Sequence, residues 1–192
     1  MLEPDRPPPL NGEEVDISVP QNDIENCGSP GNNGSESGRL LCVLSNPPAE
    51  TSGLRTLARV EQARSILGYD TAEVVNLFSI PTYRTGEISR VGATAPGWDS
   101  AKVILERALT KADAVLLAYG CQVPTGPARL LFRAQVDWLV SEISRRGITT
   151  WTVAGRPLHP SRWQRHTYAH HRGVPFGDAL AIALEMQAPI GR

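Results

Sequence analysis

The sequence predicts an α/β protein with a parallel sheet. Four short apolar runs, at 40–44, 72–78, 114–119 and 149–154, have the length and the β-branched or aliphatic content of buried strands. Longer stretches with helical spacing separate them, and Gly or Pro stands at most of the joints. Strands that alternate with helices pair in parallel through right-handed crossovers.

The elements follow in order. The run 40–44 ends at Ser45-Asn46-Pro47-Pro48. A helix is predicted over 52–67, with Leu54, Leu57, Ala58, Ile66 and Leu67 on its apolar face and Gly68 where a C-terminal cap belongs. The strand 72–78 is stopped by Pro81, and a loop is expected over 79–97. Asp99 or Ser100 caps a helix that runs to about Lys111. Gly120 closes the strand 114–119. Pro127 suits the first turn of a long helix ending near Arg146-Gly147, with Leu130, Leu131, Ala134, Trp138 and Ile143 facing the core. After the strand 149–154, residues 156–177 read as loop or short helix, and 178–187 as a final apolar helix.

Residues 1–38 differ from the rest. They are rich in Pro, Gly, Asn, Ser and Glu and carry eight acids against one base. Such a segment buries too little apolar surface to offset the entropy of ordering, so a disordered acidic tail is expected before a domain over 39–192. The domain carries 18 bases and 12 acids. From Ile143 to Gly177 there is no acid, but there are six arginines and all four histidines. This concentration of positive charge attracts phosphates. No apolar run approaches the roughly 20 residues of a membrane helix. The first ten residues lack the basic start and apolar stretch of a signal peptide, so a cytoplasmic protein without membrane contact is expected. Cys27, Cys42 and Cys121 are odd in number and irregular in spacing, which predicts neither a disulfide framework nor a metal cluster.

In open parallel sheets the site lies at the carboxyl ends of the strands. This collects Ser45-Asn46-Pro47-Pro48, Asn76-Leu77-Phe78, Tyr119-Gly120-Cys121 and Pro157-Leu158-His159-Pro160-Ser161-Arg162. Neither G-x-G-x-x-G nor the P-loop pattern is present, and G-x-S-x-G is absent, which argues against dinucleotide, P-loop and serine-hydrolase chemistry. His166 and His170 stand four apart with His171 adjacent, but no acid accompanies them, so a metal pair is disfavoured. What remains is two asparagines, a histidine and aromatics. Asn46 can hold a water. Asn76 has a donor and an acceptor with which to read the pairing edge of a base. Phe78 or Tyr83 can stack on it, and His159 can donate to charge developing on a leaving group.

These segments resemble a known family. Leu41-Cys42-Val43-Leu44-Ser45-Asn46-Pro47 looks like the first motif of the uracil-DNA glycosylase superfamily, in the G-I-N-P-G form of its mismatch-specific branch. Val74-Val75-Asn76-Leu77-Phe78 resembles its second motif, and Val115-Leu116-Leu117-Ala118-Tyr119-Gly120 its third strand. His159-Pro160-Ser161-Arg162 resembles its H-P-S-P-L loop. The chain is also similar to a domain family of bacteria and their phages without an assigned function, which has a comparable L-N-P-S and V-N-L-F pair. The glycosylase resemblance implies a three-layer α/β/α fold with a four-stranded parallel sheet in the order 2-1-3-4. It implies that Asn46 positions the water, Asn76 reads a flipped base, and His159 stabilises the departing base anion. The loop after His159 would enter the minor groove with Arg162 or Trp163 as wedge, while Ser161, Arg165 and Arg156 contact DNA. No cofactor is implied, and a monomer is expected.

The departures bear on mechanism. Pro48 replaces the motif's Gly, and Asn46 stands where some branches have a water-activating Asp. Asparagine is no general base, so catalysis would rest on leaving-group stabilisation. The expected activity is a monofunctional DNA glycosylase for a uracil-like or modified base, in repair or in defence against phage. The alternatives are an inert DNA- or base-binding module on the same fold, and a nucleoside or nucleotide hydrolase.

Overall fold

The computed structural model describes residues 38–49, 53–82 and 85–188, all within the unit Ser35–Arg192. Residues 1–37 of the predicted tail, Cys27 among them, lie outside the described residues, as do Tyr83 and Arg84.

Strand β1 (Arg39–Leu44) is apolar at every position after the first. Leu40 to Leu44 are each no more than 6% exposed, so both of its faces need a covering layer. Alternation then divides the core in two. Leu41 and Val43 join one cluster of buried residues. Leu40, Cys42 and Leu44 join the other. Strands β2 (Thr71–Asn76) and β3 (Ala114–Leu117) flank β1 in parallel, and β4 (Thr149–Val153) pairs in parallel with β3.

Six α-helices cover the sheet among the described residues. On one face α1 (Leu54–Leu67), α5 (Pro160–His170) and α6 (Phe176–Ala183) bring Val60, Ala63, Trp163, Leu180 and Ala183 against the sheet. On the other, α2 (Ile88–Val91), α3 (Pro96–Leu109) and α4 (Ala128–Arg146) bring Ile88, Leu105, Leu109, Phe132 and Leu139. The result is a three-layer α/β/α arrangement.

The sheet differs from the expected one. It has five strands in the order β2-β1-β3-β4-β5 and is mixed, because β5 (Leu184–Met186) runs antiparallel to β4. The apolar helix predicted to Gln187 stops at Ala183, where Leu184 turns extended. The free edge of β4 captures the chain there. Gln187 N–H donates to the Thr150 carbonyl at 2.8 Å, and its side-chain amide to Thr152 Oγ1 at 2.7 Å. The loop expected over 79–97 contains a single 3-10 turn at Thr85–Glu87, the short α2, and the start of α3. Within 156–177, residues 160–170 form a full helix rather than loop.

Two helix faces match expectation in part: Ile66 and Leu67 of α1 and Leu131, Trp138 and Ile143 of α4 pack on the core as expected. Helix α1 buries Val60 and Ala63, while Leu54 and Leu57 are exposed. Helix α4 buries Ala128, Phe132, Gln135, Leu139 and Ile143, leaving Leu130 70% exposed. A helix with apolar residues most of the way round does not identify its buried stripe by itself.

Gly97, in the first turn of α3, lies close against Phe78. A β-carbon there would overlap the Phe78 ring, with Cζ only 2.8 Å away. Phe78 is fully buried with its ring centroid 4.6 Å from that of Trp98, so it has no room to retreat. Gly97→Ala is therefore expected to lower stability by about 1–3 kcal/mol, read as a reduced urea midpoint at unchanged m-value.

Candidate functional site

The register of the central strands aligns their carboxyl ends. Leu44 lies opposite Asn76, and the ladder continues past both, with Leu77 N–H donating to the Leu44 carbonyl at 2.9 Å and Phe78 N–H to the Ser45 carbonyl at 3.0 Å. On the other side Ala118 N–H donates to the Val43 carbonyl at 2.9 Å. The first three predicted strand-end segments thus emerge side by side.

Asn46 is fastened within this edge. Its amide donates to Thr82 Oγ1 at 2.7 Å and to the Pro47 carbonyl at 2.9 Å, while its Oδ1 accepts from Ser45 Oγ at 2.8 Å. Thr82 is buried and forms an isolated parallel bridge with Pro48. The two prolines and Asn46 thereby tie the end of β1 to the loop after β2. Asn76 differs. Its Oδ1 is buried and has no hydrogen-bond partner among the described residues. A buried acceptor left unmatched costs about 1–3 kcal/mol, so this atom is a place where an N–H donor gains.

The fourth segment is brought in by Gly120. That residue has φ +89°, which glycine adopts without strain. Its N–H donates to the Pro157 carbonyl at 2.6 Å, and a β-carbon built on it would lie 3.6 Å from His159 Cβ. His159 therefore sits against the end of β3. It also caps α5: Nδ1 accepts from Ser161 N–H at 3.2 Å and lies 2.9 Å from Ser161 Oγ. An acceptor Nδ1 places the proton of the neutral ring on Nε2. Burial, with the nearby charges of Arg162 and Arg59, holds the imidazole below its ordinary range. His159 is thus a neutral ring with Nε2–H as its donor. Tyr119, half-buried at the end of β3, has its phenol pushed up, chiefly by burial, and stays neutral as well.

Several expected residues fall elsewhere. Trp163 is fully buried and donates its indole N–H to the Leu158 carbonyl at 2.7 Å. It is a core residue and not a wedge. Its Arg and His neighbours in sequence hid this, because a helix places only one face outward. Phe78 is likewise core, with its ring packed on Trp98 and no face left open for a base. Tyr83 lies outside the described residues. Arg156, Ser161, Arg162 and Arg165 are exposed, as surface contacts require. Of the arginines in the acid-free stretch, Arg145 and Arg146 share the single carboxylate of Glu142, which they hold down to about 2. His166 and His170 stack at 4.2 Å. Among the described residues no group of three or more His, Cys, Asp or Glu is placed to hold a metal, and no helix is long and apolar enough to cross a membrane.

Sequence reasoning missed two positioning residues. Gln135 is buried on α4 and donates to the carbonyls of Leu77 and Trp98 at 3.2 and 3.3 Å, which fixes the chain just beyond Asn76. A lone amide between Phe132 and Leu139 on one helix face was its only sequence signal. Arg59 on α1 donates to the Pro160 carbonyl at 2.8 Å and to Gln164 Oε1 at 2.9 Å, bracing the helix that His159 caps.

These features define an α/β protein with a polar site at the carboxyl edge of a mixed, mostly parallel sheet. A family model described as a protein of unknown function (DUF1643) matches residues 32–161, and the chain belongs to that family. The matched stretch contains all four strand ends and closes at Ser161. No curated protein and no solved structure matches the chain.

The Asn46 fastening is testable alone. Thr82→Val keeps the shape but removes the Oγ1 acceptor from a buried position, and is expected to destabilise the protein by about 1–3 kcal/mol in chemical denaturation. An unchanged midpoint would show that Asn46 does not depend on Thr82.

Proposed function

We propose that the protein is a monofunctional DNA glycosylase of uracil-DNA glycosylase-like fold, acting as a cytoplasmic monomer without a cofactor. It hydrolyses the N-glycosidic bond of a uracil-like or modified base and leaves an abasic site. The observation that carries this reading is the buried, unmatched Oδ1 of Asn76 at the same sheet edge as a neutral His159. An N–H on the pairing edge of a flipped base satisfies Oδ1, and the Asn76 amide N–H₂ offers a donor to the neighbouring carbonyl. In the reaction the C1′–N bond breaks, its electron pair leaves with the base, water supplies hydroxyl to C1′, and the proton that water gives up ends on the departed base anion. Nε2–H of His159 donates to the oxygen where the base's negative charge collects. Asn46 Oδ1 keeps a second lone pair for the water but takes no proton. Asn46 is no general base, so leaving-group stabilisation is the main contribution. Bases that leave readily, such as uracil and electron-poor modified pyrimidines of phage DNA, fit this chemistry best, which gives the enzyme a role in repair or in defence.

One observation favours a second reading, a base-binding module without chemistry: both ends of the Asn46 carboxamide are engaged inside the loop. Base release separates the two. Wild type is expected to release base from a panel of uracil-containing, mismatched and modified phage DNAs, scored by cleavage at the abasic sites. His159→Ala should slow release by about 10²–10³-fold, and Asn76→Ala should abolish discrimination between bases. DNA binding with no release from any member of the panel would establish the binding module instead.

The pH dependence follows from the direction of the His159 shift. The ring is neutral at and above the ordinary histidine value of about 6.5, so release should stay level from there upward. It should fall only as pH drops through the lowered pKa, when a proton on Nδ1 opposes Ser161 N–H. A pH–rate profile whose acid limb lies at or above 6.5 would contradict the assignment.

A further inference from the structure

The packing of α1 on α5 leaves a groove of about 450 Å³ lined by Arg55, Arg59, Ser161, Gln164, Arg165 and Tyr168. Its walls follow from helical spacing. Arg55 and Arg59 are one turn apart on α1, and Ser161, Gln164, Arg165 and Tyr168 fall at i, i+3, i+4 and i+7 on α5. Among the described residues no carboxylate lines it. The three ion pairs among the described residues involve Arg64, Arg145 and Arg146, and none involves the groove arginines. Arg59 is met only by neutral acceptors, the Pro160 carbonyl and Gln164 Oε1, with the Phe176 ring 5.9 Å from its guanidinium carbon. Three uncompensated guanidinium groups in one concavity repel one another, and a polyanion relieves that repulsion.

A fourth feature narrows the class of anion. Tyr168 is 76% exposed at the groove wall, where its ring offers an open face. An aromatic platform beside arginines fits a nucleotide, whose base stacks while its phosphates meet the guanidinium groups. Ser161 belongs both to the groove and to the His159 cap. The groove therefore leads to the strand-end site rather than lying apart from it.

We infer that the groove between α1 and α5 binds single-stranded nucleic acid, with Arg55 and Arg165 on phosphates and Tyr168 stacked on a base. This rests on the nucleic-acid reading above and adds to it the path of the strand. A strand held there delivers an already unpaired nucleotide to Asn76 and His159, which removes the need to unstack a duplex.

The test is fluorescence anisotropy of a labelled single-stranded DNA 15-mer of ordinary bases, with the full chain, between 50 and 200 mM salt. Arg55→Gln combined with Arg165→Gln should weaken binding at least about tenfold and reduce the salt slope by roughly 1.4, at about 0.7 per phosphate contact on a single strand. Tyr168→Ala should weaken binding at least about fivefold without changing the slope. Arg129→Gln, exposed on α4, should leave both unchanged. All four positions are exposed, so melting temperatures should match wild type. Failure of wild type to bind, or wild-type affinity and slope in the groove variants, would overturn the groove. Loss on changing the arginines but not Tyr168 would overturn the single-strand assignment. Because the probe contains no base to be excised, a silent base-release panel with groove binding intact refutes the chemistry alone.

Discussion

The two-sided burial of β1 is the constraint on which the molecule depends. Its residues divide alternately between two cores, so a slip of one position would exchange the residues offered to each and lose both. The neighbouring strands are held in register with it, and their carboxyl ends coincide in consequence. The site at that edge needs no long-range fitting of its own. Asn46 and Asn76 lie where the ladder between β1 and β2 runs out, and His159 arrives through the Gly120–Pro157 contact at the end of β3.

Within this edge the polar groups have been settled unequally. Asn46 and Gln135 are engaged with the backbone and with neighbouring side chains, and they set the shape of the edge. Asn76 Oδ1 is buried without a partner, and His159 turns one nitrogen to the α5 cap while the other remains a donor. The edge is thus fixed by hydrogen bonds at Asn46 and Gln135 and not at Asn76 Oδ1. The positive groups around it serve a different purpose. Arg162 and Arg59 add to burial, the main cause, in keeping His159 neutral, and Arg55 and Arg165 remain without an ion pair among the described residues on the adjoining surface.

Much of the fold was legible in the sequence because the buried strands are continuous apolar runs between turn residues. The four parallel strands appear within a residue or two of their predicted bounds. Strand β5 was not legible, since Leu184–Met186 continues an apolar helical pattern and becomes extended only because β4 offers a free edge. Leu54 and Leu57 of α1 and Leu130 of α4 were misjudged for a related reason: which apolar residues of a helix face inward is decided by the sheet. The strand-end rule expected Asn46, Asn76 and His159 at the carboxyl edge of the sheet, and that is where they lie. It could not show that Phe78 and Trp163 are enclosed, because enclosure depends on Trp98 and α6, which are remote in sequence. Nor could it show that Arg59 reaches across to α5, a contact spanning 101 residues.

The most direct measurement is the protonation of the His159 ring, by ¹⁵N NMR of the histidine side chains in the full chain, assigned with His159→Gln. At neutral pH, Nδ1 should resonate as an unprotonated nitrogen and Nε2 as a proton-bearing one, and this pattern should persist below the ordinary histidine value of about 6.5. A proton on Nδ1, or an imidazolium at neutral pH, would contradict a site built around a neutral Nε2–H donor.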